Sequence, residues 1–107
     1  MQFHFDHETL DVYRLALEVA RWLNDTTFPR GWAWLRDQAV RAAGSVVLNI
    51  AEGRGRTGAA KHNHYRIALA SAAETCAALD IIDLPGGPEQ QQKLRRVGAM
   101  LAKLIRA

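Results

Sequence analysis

The chain has 107 residues, of which 49% are hydrophobic, and carries a formal net charge of +3. This length suits one domain with a small core. The single cysteine excludes an internal disulfide and is typical of a reducing compartment. No apolar run approaches the roughly 20 residues of a membrane-spanning helix, and the first residues lack the basic and apolar regions of a signal peptide. The expected location is therefore the cytoplasm.

The charge is divided unevenly along the chain. Up to Gly53 there are five arginines and seven acidic residues, whereas from Arg54 onward there are nine basic and four acidic residues. A basic surface built from the second half would suit a polyanion.

The chain begins with residues 1–8, in which Phe3 and Phe5 alternate with polar residues, and we expect an extended N-terminal arm there. The first helix is predicted over residues 9–25, because apolar residues recur there at helical spacing. The segment TTFPRG ends this helix, since Pro29 cannot continue it.

The second helix is predicted over residues 32–52, with Gly53 as its C-terminal cap. Thr57 suits the N-cap of a third helix that extends to about residue 83. The turn LPGGP follows, and Pro88 suits the first turn of a fourth helix that runs to the end. Short turns imply antiparallel neighbours. The predicted fold is therefore all-α, an up-down-up-down antiparallel four-helix bundle forming a single domain over residues 1–107.

Three tryptophans, Trp22, Trp32 and Trp34, cluster around the first predicted turn. They fit either core packing or a subunit interface, where tryptophan is enriched. Because Trp32 and Trp34 are two residues apart, they cannot both face one core from one helix. One of them is expected on the surface.

The segment GRGRTG matches the dinucleotide-binding pattern GxGxxG, but that pattern requires a preceding strand, and here a helix precedes it. Arg54 and Arg56 are nevertheless interesting, because they lie at a predicted turn with Lys61 close behind. The free N–H groups at the start of the third helix add to a site that can contact phosphate. The alternative is two solvated arginines in a loop.

A metal site finds little support in the sequence. His62 and His64 are two residues apart, so their side chains diverge on a helix, whereas ligands on a helix are usually three or four apart. His4 and His7 lie near the start, which leaves a metal site only across subunits. Cys76 lies on an apolar stripe and is predicted to be a core residue. No metal and no cofactor is predicted.

Polar residues line the core edge of the second and third helices. They are predicted to form a structural network that fixes helix register or a subunit contact, with Asn49 and Glu52 turned inward and Arg54 and Arg56 free outside. The network residues are Gln38, Arg41, Ser45, Asn49, Glu52, Ser71 and Glu74. A catalytic or two-metal site would want Glu-x-x-His motifs, and the chain has none, so an enzyme is not predicted.

These residues resemble the signature Q-x-x-R-A-x-x-S-x-x-x-N-I-A-E-G of a bacterial four-helix-bundle family. That family contains the proteins encoded in intervening sequences of large-subunit ribosomal RNA genes and the accessory variability determinant of diversity-generating retroelements. A second motif on the third helix resembles the family's A-x-x-S-x-x-E. The matching residues are Gln38, Arg41, Ala42, Ser45, Asn49 to Gly53, Ala68, Ser71 and Glu74.

The resemblance implies a homo-oligomer, typically a homopentamer, a five-membered ring of bundles. It also implies binding of nucleic acid and of a reverse transcriptase in the retroelement branch, and no enzymatic activity.

The leading hypothesis is a non-enzymatic oligomeric bundle that contacts nucleic acid, with RNA expected, through its phosphates. No aromatic and arginine pairing is visible in the sequence, so stacking on single-strand bases is not predicted. A structural or adaptor protein that docks a protein partner is the alternative, and a bundle-core metalloenzyme is a third reading. The predicted contact residues are Arg54, Arg56, Lys61, Arg66, Arg95, Arg96, Lys103 and Arg106.

Overall fold

Four helices make up most of the chain in a computed structural model that describes residues 1–107. Apart from a short 3-10 helix at Asp6–Thr9, no other regular element is present. The helices are α1 (Asp11–Asp25), α2 (Ala33–Arg54), α3 (Gly58–Ile81) and α4 (Gly87–Arg106). The absence of strands and the packing of the helices against each other confirm the predicted all-α four-helix fold. No helix is long and apolar enough to cross a membrane.

Two contacts give the relative direction of α2 and α3. The Ser45 and Ser71 hydroxyls lie 2.8 Å apart, and the Asn49 side chain lies 2.9 Å from His64. Residue numbers therefore rise along α2 as they fall along α3, so the two helices are antiparallel. Each helix packs against two others, α1 with α2 and α4, and α3 with α2 and α4. The connecting turns have only seven, three and five residues, which favours antiparallel neighbours.

The core runs along the middle of the bundle. Val19, Leu23, Ile50, Val97 and Leu101 are at most 1% exposed, and each comes from an apolar stripe at helical spacing. Fully burying one such side chain stabilises the fold by about 1.5–3 kcal/mol. All four helices depend on this shared interior, because none of these stripes could be buried by a helix alone.

Gly53 does not end α2, so its prediction as a helix cap was wrong. The helix continues through it to Arg54, and Gly53 is buried. A Cβ atom at Gly53 would lie 2.7 Å from Cε1 and 2.8 Å from Cδ1 of Tyr65. Glycine is needed here because the Tyr65 ring of α3 packs directly on the α2 backbone.

The first residues are less extended than predicted. A 3-10 helix forms at Asp6–Thr9. At its start the N–H of the N-cap residue Phe5 donates to the Glu8 carboxylate at 2.6 Å. Leu10 then adopts an extended conformation, and α1 begins at Asp11 instead of Thr9.

The tryptophans are divided between the interior and the surface, as their spacing required. The Trp34 side chain is 57% exposed, whereas Trp32 is half-buried and stacks on Trp34 with ring centroids 6.0 Å apart. Trp22 is half-buried against the turn glycine Gly86, whose φ of +85° suits a residue without a side chain. A subunit interface at Trp34 stays a prediction.

Candidate nucleic-acid interface

One end of the bundle collects six of the eight predicted contact residues; we call it the basic end. It is formed by the end of α2, the α2–α3 turn, the first three turns of α3 and the last turn of α4. The antiparallel packing brings these segments together although they are up to 52 residues apart in sequence. The residues are Arg54, Arg56, Lys61, Arg66, Lys103 and Arg106.

Five of these six side chains have no carboxylate partner within 4.0 Å. The exception is Arg56, whose Nε lies 3.2 Å from Glu52 Oε2 in a pair that is about half exposed on both sides. Exposed pairs of this kind contribute about 0–1 kcal/mol. The prediction that Glu52 turns inward and that Arg56 stays free was therefore wrong, whereas Arg54 is exposed and unpaired.

The opposite end of the bundle is acidic. It has three arginines, Arg21, Arg30 and Arg36, and five acids. Arg36 already donates hydrogen bonds to the carbonyls of Asn24 and Thr26 at the end of α1. The basic end also holds four acids, Asp6, Glu8, Asp11 and Glu52, against its six cations, so the two ends of the bundle differ in charge and the positive surplus lies at the basic end. The acids of the opposite end are Asp25, Asp37, Asp80, Asp83 and Glu89.

Arg95 and Arg96 lie apart from the basic end. They are on the middle of α4, about two helical turns before Lys103. Arg95 lines a groove of about 330 Å³ between α3 and α4, together with Asp80 and the half-buried Cys76. These two arginines form a second exposed set that the structure does not join to the first.

The start of α3 lies inside the basic end. Thr57 occupies the N-cap position, but no side chain caps the helix there. Its first N–H groups are therefore free to receive an anion. Burial raises the pKa of Tyr65 in the next turns, and the nearby charge of Arg54 opposes that rise.

The predicted polar network exists in a smaller form. The Asn49 amide donates to the Ser45 carbonyl at 2.9 Å and to its hydroxyl at 3.1 Å, and the Ser45 hydroxyl bonds that of Ser71. Because the Asn49 Oδ1 can only accept, His64 Nδ1 donates to it. Asn49 thus turns towards α3 as predicted.

Sequence reasoning missed His64 as a member of this network. His64 and Ser71 are seven residues apart and therefore lie on the same face of α3. This spacing could have indicated that His64, like Ser71, faces α2. The other predicted members are exposed and lie outside the network in the single chain, and their part in a subunit contact stays a prediction. They are Gln38, Arg41, Glu52 and Glu74.

The N-terminal arm that carries Phe3 and Phe5, which we call the aromatic arm, lies beside α2, a position that the sequence did not reveal. Phe3 and Phe5 meet edge to face with centroids 5.1 Å apart, Phe5 stacks on His7 at 6.0 Å, and His7 contacts Tyr13 of α1 at 4.6 Å. The arm is therefore anchored on α1. Phe3 is nonetheless 76% exposed and Phe5 61% exposed.

The carboxylate of Glu8 holds this arm in place. The N–H of Phe5 donates to it and lowers the pKa of Glu8 below its usual value. A lowered pKa means that the ionised carboxylate is favoured in the folded state. This stabilisation is complete above the ordinary pKa of a glutamate and is lost as the pH falls through the lowered value.

No group of three or more His, Cys, Asp or Glu side chains is arranged to hold a metal ion. His62, the neighbour of the network histidine, is half-buried at the start of α3.

Comparison with known proteins identifies the family. A family model described as 23S rRNA-intervening sequence protein matches residues 8–103 and thus covers α1, α2, α3 and most of α4. No curated protein and no solved structure shows significant similarity to the chain. The matched segment contains both motifs on which the resemblance was based. The chain therefore belongs to the family of 23S rRNA-intervening sequence proteins.

Proposed function

We propose that this protein is a non-enzymatic, cytoplasmic bundle that assembles with copies of itself and binds RNA through its basic end. The observation that carries the proposal is the set of cations at that end without carboxylate partners. Four of these unpaired cations are exposed and Lys61 is half-buried, so they are available for phosphate oxygens, and Arg adds bidentate geometry. The uncapped start of α3 supplies N–H donors among them.

Binding of this kind depends on charge more than on sequence. Each phosphate contact releases counterions, so the affinity falls steeply as salt rises. Phosphate contacts fix position without reading bases, so little preference among RNA sequences is expected. The acidic opposite end repels the same polyanion, which favours approach to the basic end.

Replacing Arg54 and Arg66 together by alanine should weaken RNA binding by roughly tenfold or more near 0.1 M salt and reduce the slope of affinity against salt. Both side chains are exposed and unpaired, so the fold should be unaffected. Fluorescence anisotropy of a labelled RNA between about 50 and 200 mM salt measures both quantities. The matched control is Arg21→Ala with Arg30→Ala, which removes the same charge from the opposite end.

The two double variants distinguish a located site from general charge attraction. Equal losses in both, or no binding by the wild-type protein at the lowest salt, would contradict the proposal. Glu52→Gln provides a test of opposite sign. It removes the partner of Arg56, so affinity and salt dependence should both increase.

The proposed self-association is supported by apolar side chains left exposed on α3. Ile67 is 40% and Ile81 54% exposed, and Ala70, Glu74 and Ala77 lie between them at steps of three and four, so the stripe is apolar except for one carboxylate. Such a stripe on one face of a helix is typical of a contact surface. A ring of five copies is what the family resemblance implies. The exposed stripe residues are Ile67, Ala70, Glu74, Ala77 and Ile81.

Placing lysine at both Ile67 and Ile81 should therefore reduce the mass of the particle in solution to that of one chain. The reason is that any contact through this face would bury two lysine charges, and removing a charge from water costs free energy. Sedimentation velocity measures the mass. The control is Asn24→Lys with Gln92→Lys, which adds the same charge at exposed positions on other helices. A wild-type protein that sediments as a monomer would refute self-association.

A specific observation also favours the adaptor alternative. Because the two ends of the bundle carry opposite charge, the acidic end of one copy could cover the basic end of another. This end-to-end assembly would weaken as salt rises. RNA would compete for the same basic end, whereas it would leave a side-by-side contact between copies unaffected. Sedimentation at low and high salt, with and without RNA, separates the two functions.

A further inference from the structure

We propose that the aromatic arm and the outer face of α2 form a stacking site for the unpaired bases of single-stranded nucleic acid. This inference rests on the proposed function and specifies its substrate class. The site is the cleft between the arm and α2, with a volume of about 680 Å³. A cavity of this size is in the range of small-ligand sites, although this one is open to solvent.

Two facing parts of the cleft wall are apolar and exposed. Phe3 and Phe5 line one side, and Leu48, itself 68% exposed, and Ala51 line the other. Aromatic rings are usually covered in a folded chain, so two that expose more than half of their surface next to an exposed leucine form an uncompensated patch. The flat face of a base is apolar and fits between such walls.

The charges around the cleft select a nucleotide over an apolar peptide. Arg56 and Gly55 form the rim at the basic end, and Arg54 is the next cation along. The carboxylates of Asp6 and Glu52 also line the cleft, and that of Glu52 is paired with Arg56. Phosphate is repelled by these carboxylates and attracted to the unpaired Arg54, so the strand is oriented with its bases against the rings and its backbone towards the basic end.

The arm is anchored to the bundle at two points. The Phe5 N–H is bonded to Glu8, and the side chain of His7 contacts Tyr13 of α1. A preformed platform loses little conformational freedom on binding. In a duplex the bases are stacked on each other and their faces are not accessible, so this site can act only on unpaired nucleotides.

The test replaces both rings, as Phe3→Ala with Phe5→Ala, and compares two probes. They are an oligouridylate of about 12 nucleotides and an RNA duplex of about 12 base pairs, both at the same salt concentration. Affinity for the single strand should fall by roughly tenfold or more, while affinity for the duplex changes less than about twofold. The salt slope should stay unchanged, because no cation is removed.

The arm is outside the core, so these variants leave the bundle intact. Trp34→Ala is the control, since it removes a ring that is also more than half exposed, from the other end of α2. Equal losses for both probes, or no loss for either, would overturn the inference and leave the basic end as the binding site. A changed particle mass with unaltered single-strand affinity would also overturn it and assign the arm to a contact between copies. Failure of the wild-type protein to bind either probe would refute the proposed function itself.

Discussion

Replacing Gly53 by alanine should lower the free energy of unfolding by about 2 kcal/mol, although alanine is the better helix former. The new Cβ would lie 2.7 Å from Tyr65 Cε1 and 3.3 Å from the Cβ of His64. Tyr65 is only 2% exposed, so its ring cannot move out into solvent without opening the core. The α2 and α3 backbones must therefore move apart, which costs more than the roughly 1 kcal/mol that alanine contributes in a helix.

Urea and thermal unfolding measure this loss, which corresponds to a decrease in melting temperature of roughly 8–16 °C for a chain of this size. Gly44→Ala is the matched control on the same helix, because no atom lies within 4 Å of its added Cβ. That variant should be stabilised by up to about 1 kcal/mol. Equal stabilisation of both variants would show that the Tyr65 ring lies too far from the Gly53 backbone to meet an added Cβ atom.

A double-mutant cycle isolates the contact. Tyr65→Leu is destabilising alone, because it leaves space where the ring packed. Combined with Gly53→Ala, it should recover part of the loss, since the alanine methyl group then fills some of that space. Additive effects would place the cause of the Gly53→Ala loss outside the Tyr65 ring.

Asn49→Ala should cost about 2 kcal/mol of stability, because one amide bonds both Ser45 and His64. Its removal leaves the half-buried His64 ring without its α2 partner and breaks a link between α2 and α3. Hydrogen exchange should show the loss as faster opening of the ends of these two helices that meet at the α2–α3 turn.

The control for this variant is Asn63→Ala, because Asn63 is exposed on α3 and makes no side-chain hydrogen bond. Alanine there should change stability by at most about 0.5 kcal/mol. His64→Ala added to Asn49→Ala should cost less than it does alone, since the shared bond is already absent. Full additivity would contradict a direct bond between the two side chains.

The helices and their order could be predicted from the sequence because hydrophobic periodicity and turn residues act locally. The inward direction of Asn49 was also predictable, as it lies with Ser45 on one face of α2. Glu52 was not, although it lies within about 20° of Ser45 around the helix axis, because at the last turn of α2 its carboxylate pairs with Arg56 four residues later.

Features that depend on a partner from another segment were not predictable. Gly53 followed by a basic turn is typical of a helix cap, and only the position of the Tyr65 ring shows that the glycine permits close packing. The arm is a similar case. Nothing in the spacing of Phe3 and Phe5 indicates that they lie beside Leu48, some forty residues later in the chain.

The uneven charge of the two bundle ends has a consequence for an assembly of several copies. If the copies associate side by side and point the same way, every basic end lies on one rim of the particle. A strand long enough to reach neighbouring copies would then be held by several weak sites at once, at high effective concentration. Avidity would make the particle discriminate by strand length, releasing short fragments quickly and retaining long ones.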